Sequence, residues 1–286
     1  MSKKSEKITL IPIEKLIPFR DHPFQVRDDD QMRMLTESIR AVGVLVPAIA
    51  RPLKNGTYEL ISGHRRKRAS EILGLPTLPV IVKEVNRDTG TVMMVDSNFQ
   101  REEILPSERA RAYKMKLEAI KRQGARTDLT SDQVGQKSAK KSSRDLIAEN
   151  SPDSSSQIQR YLRLNELIPE LLQMVDERKI ALTPASEISY LKKEEQCILL
   201  ATIDSELSTP SLSQAQRMKH LSREGKLTDD MILKIMSEQK KPECWNLTIP
   251  MNKVSKYFPR SYTPQKMEEI IFELLDEWIQ SKIRKK

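Results

Sequence analysis

The sequence predicts an α+β domain over residues 1–105, an all-α domain over residues 106–240, and a small strand-plus-helix segment over residues 241–286. Three observations support this division. Short strands and helices alternate within the first hundred residues, which is typical of a compact α+β unit. From Pro106 onward the apolar residues follow a helical spacing almost without a break. Lys240, Lys241 and Pro242 then interrupt that spacing before one last helix.

The composition favours a polyanionic partner. The 286 residues carry a net charge of +9, which is typical of proteins that bind nucleic acid or an acidic membrane surface. No apolar run reaches the roughly 20 residues of a spanning helix, and the first fifteen residues lack the apolar core of a signal peptide. We therefore predict a cytoplasmic protein without membrane insertion. Cys197 and Cys244 are far apart, so neither a disulfide nor a structural zinc site is predicted.

The first elements are predicted from alternation and turn residues. Residues 7–16 alternate as an edge strand that Pro18 ends, and residues 44–52 are predicted as a buried strand. The helix between them is expected to begin at Asp29 or Asp30 and to end at Gly43. Its predicted apolar face consists of Met34, Leu35, Ser38, Ile39 and Val42. The turn at residues 54–56 predicts a hairpin with the next strand.

Residues 58–73 form the centre of the predicted site. A short strand turns through Ser62 and Gly63 into a helix that is expected to end at Leu73, before Gly74. Such a corner presents free backbone N–H groups and the positive end of a helix dipole, which suit a phosphate group. Arg65 and Arg66 add forked charged donors there. The alternative is that the run of basic residues at 65–68 is simply a solvated helix face.

Two further segments lead towards the middle of the chain. Residues 78–85 are predicted as a strand and residues 91–99 as a helix. A helix is then expected to begin at Pro106 and to stop at Gly124. Its predicted buried face consists of Ala110, Tyr113, Leu117 and Ile120. The following stretch carries Lys137, Lys140 and Lys141 and is predicted to contact the DNA backbone.

Residues 142–164 have the spacing of a helix-turn-helix. Leu146, Ile147 and Ala148 are predicted to form the buried side of the first helix, and residues 150–152 to form the turn. Ser154 or Ser155 is expected to cap the second helix. Its Ile158, Tyr161, Leu162 and Leu164 are expected to pack inward. Polar side chains suited to base edges and phosphates make up the predicted DNA-binding set: Lys140, Lys141, Arg144, Ser154, Ser155, Ser156, Gln157, Gln159, Arg160 and Arg163. The alternative is a plain helical hairpin.

Five helical stretches are predicted to support this motif as a small bundle, over residues 166–179, 183–191, 193–203, 211–224 and 228–239. In the last segment we predict a strand at residues 246–249 and a helix capped by Thr263, with Pro264 in its first turn. An apolar stripe on this helix is too wide to be buried alone, so we predict self-association. Its members are Met267, Ile270, Ile271, Leu274, Leu275 and Trp278. The basic end at residues 281–286 could contact DNA or be solvated.

Four motifs in order resemble the ParB family of chromosome and plasmid partition proteins. These are HPFQVR at residues 22–27, VGVLVPAIA at residues 42–50, GHRRKRA at residues 63–69 and SNFQREEILPSERA at residues 97–110. The resemblance implies a sulfiredoxin-like fold for the first domain, which would bind CTP with Mg²⁺ and act as a nucleotide-gated clamp on DNA. The implied nucleotide-binding residues are Gln25, Arg27, Gly63, His64, Arg65, Arg66, Asn98, Gln100 and Arg101. Asn98 is also the implied metal ligand.

This chain departs from the family pattern at two positions. His64 and Ser97 stand where many family members have glutamates that are linked to hydrolysis and metal placement. A histidine cannot replace a carboxylate as a magnesium ligand in the same geometry. The sequence therefore supports nucleotide binding better than turnover, so we assign no catalytic residue and leave a weak CTPase activity open.

The function predicted from these features is that of a ParB-like protein that partitions a chromosome or plasmid. It would be a nucleoid-associated homodimer on a parS-like double-stranded DNA site, with a ParA-type ATPase as a candidate partner. A nucleoid-occlusion protein or plasmid transcriptional regulator could use the same parts. An ATP-dependent reductase of the sulfiredoxin type is disfavoured because the corner at residues 62–65 has no thiol. A serine kinase, a nuclease or an adaptor for an acidic protein remain alternatives from other classes.

Overall fold

A computed structural model describes residues 7–100, 104–130, 143–149, 151–238, 257–259 and 262–283. The chain divides into two compact units, Met1–Glu238 and Gln239–Lys286. The first unit contains a sheet with its covering helices and a helical bundle. The predicted domain boundary near residue 105 stays a prediction.

The sheet has five strands, β1 (Ile8–Pro12), β2 (Leu16–Pro18), β3 (Ala48–Pro52), β4 (Tyr58–Ser62) and β5 (Thr77–Val82), in the order β1-β5-β3-β4-β2. β1 is antiparallel to β5 at one edge, and β2 is parallel to β4 at the other. The prediction of a single strand over residues 7–16 is therefore wrong. Pro12 has no N–H to continue the ladder, and a 3-10 turn at Ile13–Lys15 carries the chain to the opposite edge.

The predicted hairpin is confirmed. β3 and β4 pair in antiparallel fashion, and Gly56 adopts a left-handed φ of 77° in the turn between them. The predicted strand over residues 44–52 is too long, because residues 44–47 lie outside the sheet. Pro47 cannot donate a ladder hydrogen bond and restricts the residue before it. Leu45 is consequently 77% exposed.

Three helices are described beside the sheet, α1 (Asp30–Val42), α2 (His64–Ile72) and α3 (Arg87–Asn98). α2 contacts β3, α3 contacts β4, and α1 packs on α2. The carboxylate of Asp29 caps α1 by accepting the backbone N–H of Met32 at 2.8 Å, as predicted for the helix start. α3 begins earlier than predicted because the side chain of Asn86 caps it by accepting the backbone N–H of Thr89.

The predicted apolar face of α1 is partly wrong. Met34 is 71% exposed, and Ser38 and Val42 are exposed as well. The buried residues of the helix are Met32, Thr36 and Ile39. The thirteen-residue helix therefore packs on the face that starts at Met32, with Leu35 half-buried beside it.

The two faces of the sheet pack against different clusters. Leu60 on β4 belongs to a core cluster with residues of β3 and β5, whereas the next residue, Ile61, packs with Met94 and Val95 of α3. This alternation is the period of two that a strand imposes on its side chains. α3 is thereby fixed on the face of the sheet that Ile61 presents.

We call the sheet and the helices α1 to α3 the sheet lobe. A long helix, α4 (Pro106–Thr130), follows it. It continues through Gly124, so the predicted end there is wrong. Glycine inside a helix costs only about 1 kcal/mol, and tertiary contacts reach the preceding turn: Arg122 pairs with Asp88 at 2.8 Å and the Gln123 amide donates to Thr89 at 3.2 Å.

The described part of the first unit continues with seven shorter helices: α5 (Ser143–Glu149), α6 (Ser155–Leu164), α7 (Pro169–Asp176), α8 (Leu182–Ile188), α9 (Lys193–Glu206), α10 (Leu212–Arg223) and α11 (Asp229–Ser237). The five predicted supporting helices are confirmed as α7 to α11, and most of their buried residues share one core cluster. Ile147 of α5 is buried as predicted. Leu146 is 41% exposed, so its predicted burial is wrong.

The second unit contains α12 (Pro264–Ile283). Thr263 caps it as predicted, because its hydroxyl accepts the backbone N–H of Lys266 at 3.4 Å. Met267 is buried, whereas Leu274, Leu275 and Trp278 of the predicted stripe are exposed. The predicted strand at residues 246–249 lies outside the described residues. Among the helices of the described chain, none has the length and apolar character that crossing a bilayer requires.

Candidate functional site

The corner between β4 and α2 depends on glycine. Gly63 adopts a left-handed φ of 104° as the residue before α2. A Cβ atom built there would lie 2.8 Å from Cβ of Ala48 on β3. Any side chain would therefore be strained by the backbone and would also clash, so the strand-to-helix corner at this place requires glycine.

The arginines of α2 point to different partners. Arg65 pairs with Asp29 at 2.9 Å, and Arg68 pairs with Asp28 at 2.6 Å. The guanidinium of Arg66 donates to the backbone carbonyls of Val46 and Pro47 at 2.5 and 2.6 Å. Arg66 thus fixes the loop before β3, and only Arg65 lines the cleft described next.

The carboxylates beside these arginines are held in their charged forms. The backbone N–H of Met32 lowers the pKa of Asp29, and the charge of Arg65 acts in the same direction. The hydrogen bond from Arg68 lowers the pKa of Asp28. Burial lowers the pKa of the Arg66 guanidinium.

A cleft of about 670 Å³ opens beside Arg65. We call it the corner cleft. Its lining residues are Gln25, Arg27, Asp29, Gln31, Leu35, Arg65, Ile104, Leu105, Pro106, Glu108, Asp176 and Arg178. Its volume falls within the roughly 300–1,000 Å³ of sites for small ligands. Three of the predicted nucleotide-binding residues, Gln25, Arg27 and Arg65, are brought together here.

The other predicted nucleotide-binding residues that the structure describes do not line this cleft. His64 is buried, its ring centroid lies 3.8 Å from that of His22, and the backbone N–H of Phe19 donates to its Nε2 atom at 3.4 Å. Asn98 is also buried and donates its amide to the carbonyl of Met94. Gln100 is exposed after α3, and Arg101 lies outside the described residues. Their assignment stays a prediction.

The implied magnesium site has no cluster of ligands among the described residues. Mg²⁺ takes oxygen ligands, commonly with one or two carboxylates. The described chain contains no group of three or more His, Cys, Asp and Glu side chains that could hold a metal. Asp96, the carboxylate on α3 nearest in sequence to Asn98, pairs with Lys116 at 2.5 Å.

Sequence reasoning missed the residues that join the cleft to the helical bundle. Glu108 accepts the backbone N–H of Gln25 at 2.9 Å. Asp176 at the end of α7 accepts both the backbone N–H and the hydroxyl of Ser107, at 2.9 and 2.6 Å. These partners are far apart in sequence, so no local signal could have found them.

The predicted helix-turn-helix is present as α5, a turn and α6. Ser154 and Gln157 form a reciprocal capping box at the start of α6, and the Ser155 hydroxyl donates to Asp145 at 3.0 Å. Three of the predicted DNA-binding residues therefore already have structural contacts. Ser156, Gln159 and Arg160 are exposed along α6. Lys140 and Lys141 lie outside the described residues, and Arg144 lies on α5 with its side chain outside them.

Arg163, at the other end of α6, contacts the bundle. It donates to the hydroxyl and the carbonyl of Ser189, at 3.1 and 2.5 Å. Its guanidinium also lies 3.9 Å from the ring centroid of Tyr190. The structure gives this residue a role in fixing the end of α6, and its predicted DNA contact stays a prediction.

A buried polar network fixes the turn of the motif on α4. The hydroxyl of Tyr113 donates to Asp153 at 2.6 Å and contacts the Ser151 hydroxyl at 2.5 Å. Arg109 donates to both carboxylate oxygens of Asp153. Burial raises the pKa of Tyr113, and the hydrogen bond to Asp153 raises it further. The recognition motif is therefore attached to α4 by a satisfied ionic network.

Comparison with known proteins assigns a family. Residues 1–99 match the ParB N-terminal domain family. A nucleoid occlusion protein of Geobacillus thermodenitrificans is 31% identical over 245 residues, which cover 84% of this chain and 74% of that protein. A probable chromosome-partitioning protein ParB of Neisseria meningitidis is 29% identical over 195 residues, which cover 68% of this chain and 61% of that protein.

Two solved structures of C-terminally truncated ParB from Caulobacter crescentus are also similar. The structure in complex with the centromeric parS site has a TM-score of 0.46 and 22% identity, and it covers 76% of this chain and 99% of that chain. The structure in complex with CTP-γ-S has a TM-score of 0.32 and 24% identity, with 69% of this chain and 99% of that chain covered.

Proposed function

The chain belongs to the ParB family, and on this premise we propose that it is a site-specific DNA-binding partition protein that acts as a CTP-gated dimeric clamp. The observation that carries the proposal is the packing of α4. This one helix packs on α3 of the sheet lobe and on α6 of the helix-turn-helix. A change at the cleft beside its first turn therefore has a direct physical route to the DNA-reading helix.

DNA reading is assigned to α6. Its exposed Ser156, Gln159 and Arg160 have the chemistry that recognition helices use. Amide side chains pair with adenine, and arginine pairs with guanine or with phosphate oxygens. The net charge of +9 adds a sequence-independent attraction to the DNA backbone.

Nucleotide binding is assigned to the corner cleft. It combines the volume of a small-ligand site with the guanidinium groups of Arg27 and Arg65, which suit phosphate oxygens. CTP is the nucleotide that the family resemblance implies. The implied Mg²⁺ has Asn98 as its single predicted ligand. No part of the proposed mechanism depends on this ion.

Dimerisation is assigned to α12. Its exposed Leu274 and Leu275 form an apolar surface, and a second copy of the chain is the simplest partner that would cover it. A twofold dimer would place two copies of α6 on two half-sites of a palindromic DNA site. A ParA-type ATPase remains a candidate partner from the family resemblance.

Calorimetry of the full chain tests the nucleotide part. Titration with CTP, with and without double-stranded DNA that carries a parS-like site, should give saturable heat. Arg65→Ala should weaken CTP binding about tenfold, as expected for one lost charge-assisted contact. Arg68→Ala is the matched control, because Arg68 lies on the same helix but pairs with Asp28 away from the cleft lining.

Cross-linking of the dimer tests the clamp. CTP together with cognate DNA should increase cross-links between the sheet lobes of two chains, and Arg65→Ala should abolish that increase. An absence of heat with CTP in all conditions would remove the nucleotide-gated mechanism. Cross-linking that does not respond to CTP would leave a DNA-binding dimer without a gate.

Nucleoid occlusion is the second candidate function, because the relative at 31% identity carries that name. The same parts serve both functions. The positions of bound sites along the chromosome do: clustering in one region favours partition, and wide scattering favours nucleoid occlusion.

A further inference from the structure

The corner cleft has a wall that comes from the helical bundle. Most of its lining residues belong to the sheet lobe or to the start of α4, but Asp176 and Arg178 come from the end of α7 and the residues after it. A ligand in this cleft would therefore contact both parts of the first unit.

Hydrogen bonds fix this wall to the rest of the cleft. The Asp176 carboxylate holds Ser107 in the first turn of α4 through two bonds, at 2.9 and 2.6 Å. Glu108, the next residue, accepts the backbone N–H groups of Gln25 and Leu105 at 2.9 and 3.3 Å. The end of α7, the start of α4 and the loop at Gln25 thus form one framework around the cleft.

Arg178 stands out within this framework. Its φ is 61°, a left-handed conformation that residues with a side chain rarely adopt. It is exposed and lines the cleft, and its guanidinium has no ion pair or hydrogen bond with any described residue. The neighbouring Lys179, by contrast, pairs with Glu177 at 2.7 Å.

The hydrogen bonds around the cleft leave Arg178 open to an anion. Among the described lining residues, three arginines face three carboxylates, so their formal charges cancel. The carboxylates of Asp29, Glu108 and Asp176 already accept N–H or O–H donors from the protein. The guanidinium of Arg178 therefore remains available to a ligand with acceptor oxygens.

We propose that Arg178, which lines the same cleft as Arg65, binds the polyphosphate of the nucleotide there and so connects the bound nucleotide to the helical bundle. This inference rests on the proposed nucleotide-binding function. It assigns a binding residue in the helical part of the chain, outside the sequence motifs of the sheet lobe. A triphosphate should need Arg178, whereas a monophosphate should not.

The test measures the affinities of CTP, CDP and CMP for the unmodified 286-residue chain and three variants by calorimetry. Arg178→Gly removes the guanidinium and should preserve the fold, because glycine readily adopts the left-handed conformation. We expect it to weaken CTP binding about tenfold and to leave CMP binding unchanged. Arg178→Lys should recover part of the lost CTP affinity, since lysine keeps the positive charge but not the forked N–H donors of the guanidinium. Lys179→Ala is the matched control and should bind like the unmodified protein.

The outcomes separate this inference from the proposed function. If the unmodified protein binds CTP and Arg178→Gly binds it equally well, Arg178 has no role in the cleft and the inference is overturned. An equal loss for CTP and CMP would also overturn it, because the contact would not then be to the polyphosphate. If the unmodified protein binds none of the three nucleotides, the nucleotide-binding function itself fails.

Discussion

The guanidinium carbon of Arg163 lies 3.9 Å from the ring centroid of Tyr190, and Nζ of Lys219 lies at the same distance from that ring. Lys219 also pairs with Glu187 at 2.6 Å. One aromatic ring thus joins the end of α6 to α8 and α10. The orientation of the recognition helix depends on this cluster as well as on the capping box at its other end.

Arg163 and Arg160 should therefore respond differently to removal. Arg163→Ala should lower the free energy of unfolding by about 1–3 kcal/mol, because a cation–π contact and two hydrogen bonds are lost. Arg160→Ala, on the exposed side, should leave stability unchanged and reduce the slope of log K against log salt for DNA binding by about 1. Urea denaturation and fluorescence anisotropy at several salt concentrations measure these effects. A reduced salt slope with unchanged stability for Arg163→Ala would instead identify Arg163 as a phosphate contact.

Replacement of Gly63 should be more costly than replacement of another left-handed glycine. Gly63→Ala combines the left-handed backbone penalty of about 1–2 kcal/mol with overpacking against Ala48 of about 1–3 kcal/mol. Gly56→Ala is the control, since its φ is 77° and no atom lies within 4 Å of the added Cβ. Chemical denaturation of both variants compares them, and equal losses of stability would contradict the clash.

The phenol of Tyr113 should make the free energy of unfolding decrease at high pH. Burial raises its pKa above the ordinary value of 10.0, so the folded protein keeps a phenol proton that the unfolded chain releases. The free energy of unfolding should therefore decrease as pH rises above about 10, by at most about 1.4 kcal/mol per pH unit from this group. Denaturation between pH 9 and pH 11 should show a shallower decrease for Tyr113→Phe. Identical slopes for the two proteins would mean that the phenol ionises as easily in the folded state.

The apolar face of α12 should hold two chains together. Leu274→Asp places a charge on the exposed apolar face and should shift the protein from dimer to monomer in sedimentation equilibrium. Glu273→Ala, at the neighbouring exposed position, should leave the dimer intact. A variant that remains dimeric with Asp at position 274 would place the dimer contact elsewhere.

The features that local chemistry determines were predicted correctly. The capping of α6 by Ser154, the cap of α12 at Thr263 and the β3–β4 hairpin each depend on a few consecutive residues. The corner at Gly63 between a strand and a helix was also predicted, and its left-handed φ is what the structure adds.

The features that depend on distant partners were missed. The break between β1 and β2 follows from pairing with β5 and β4, more than forty residues away in sequence. The exposure of Met34 depends on which face of α1 packs against the rest of the sheet lobe. The contact between Ser107 and Asp176 joins residues that are 69 positions apart. Such contacts come from tertiary packing, which apolar spacing in one sequence does not specify.

The distribution of contacts along α4 has a mechanical consequence. Near its start, Arg109 and Tyr113 hold the turn of the helix-turn-helix, and further along Lys116 and Arg122 hold α3. The contacts from Arg109 to Arg122 span about 20 Å of this helix at 1.5 Å per residue. A tilt of about 5° would displace one end of that span by about 2 Å relative to the other. The helix can thus act as a rigid connection between α3 and the helix-turn-helix, so that a small rotation of either one moves the other.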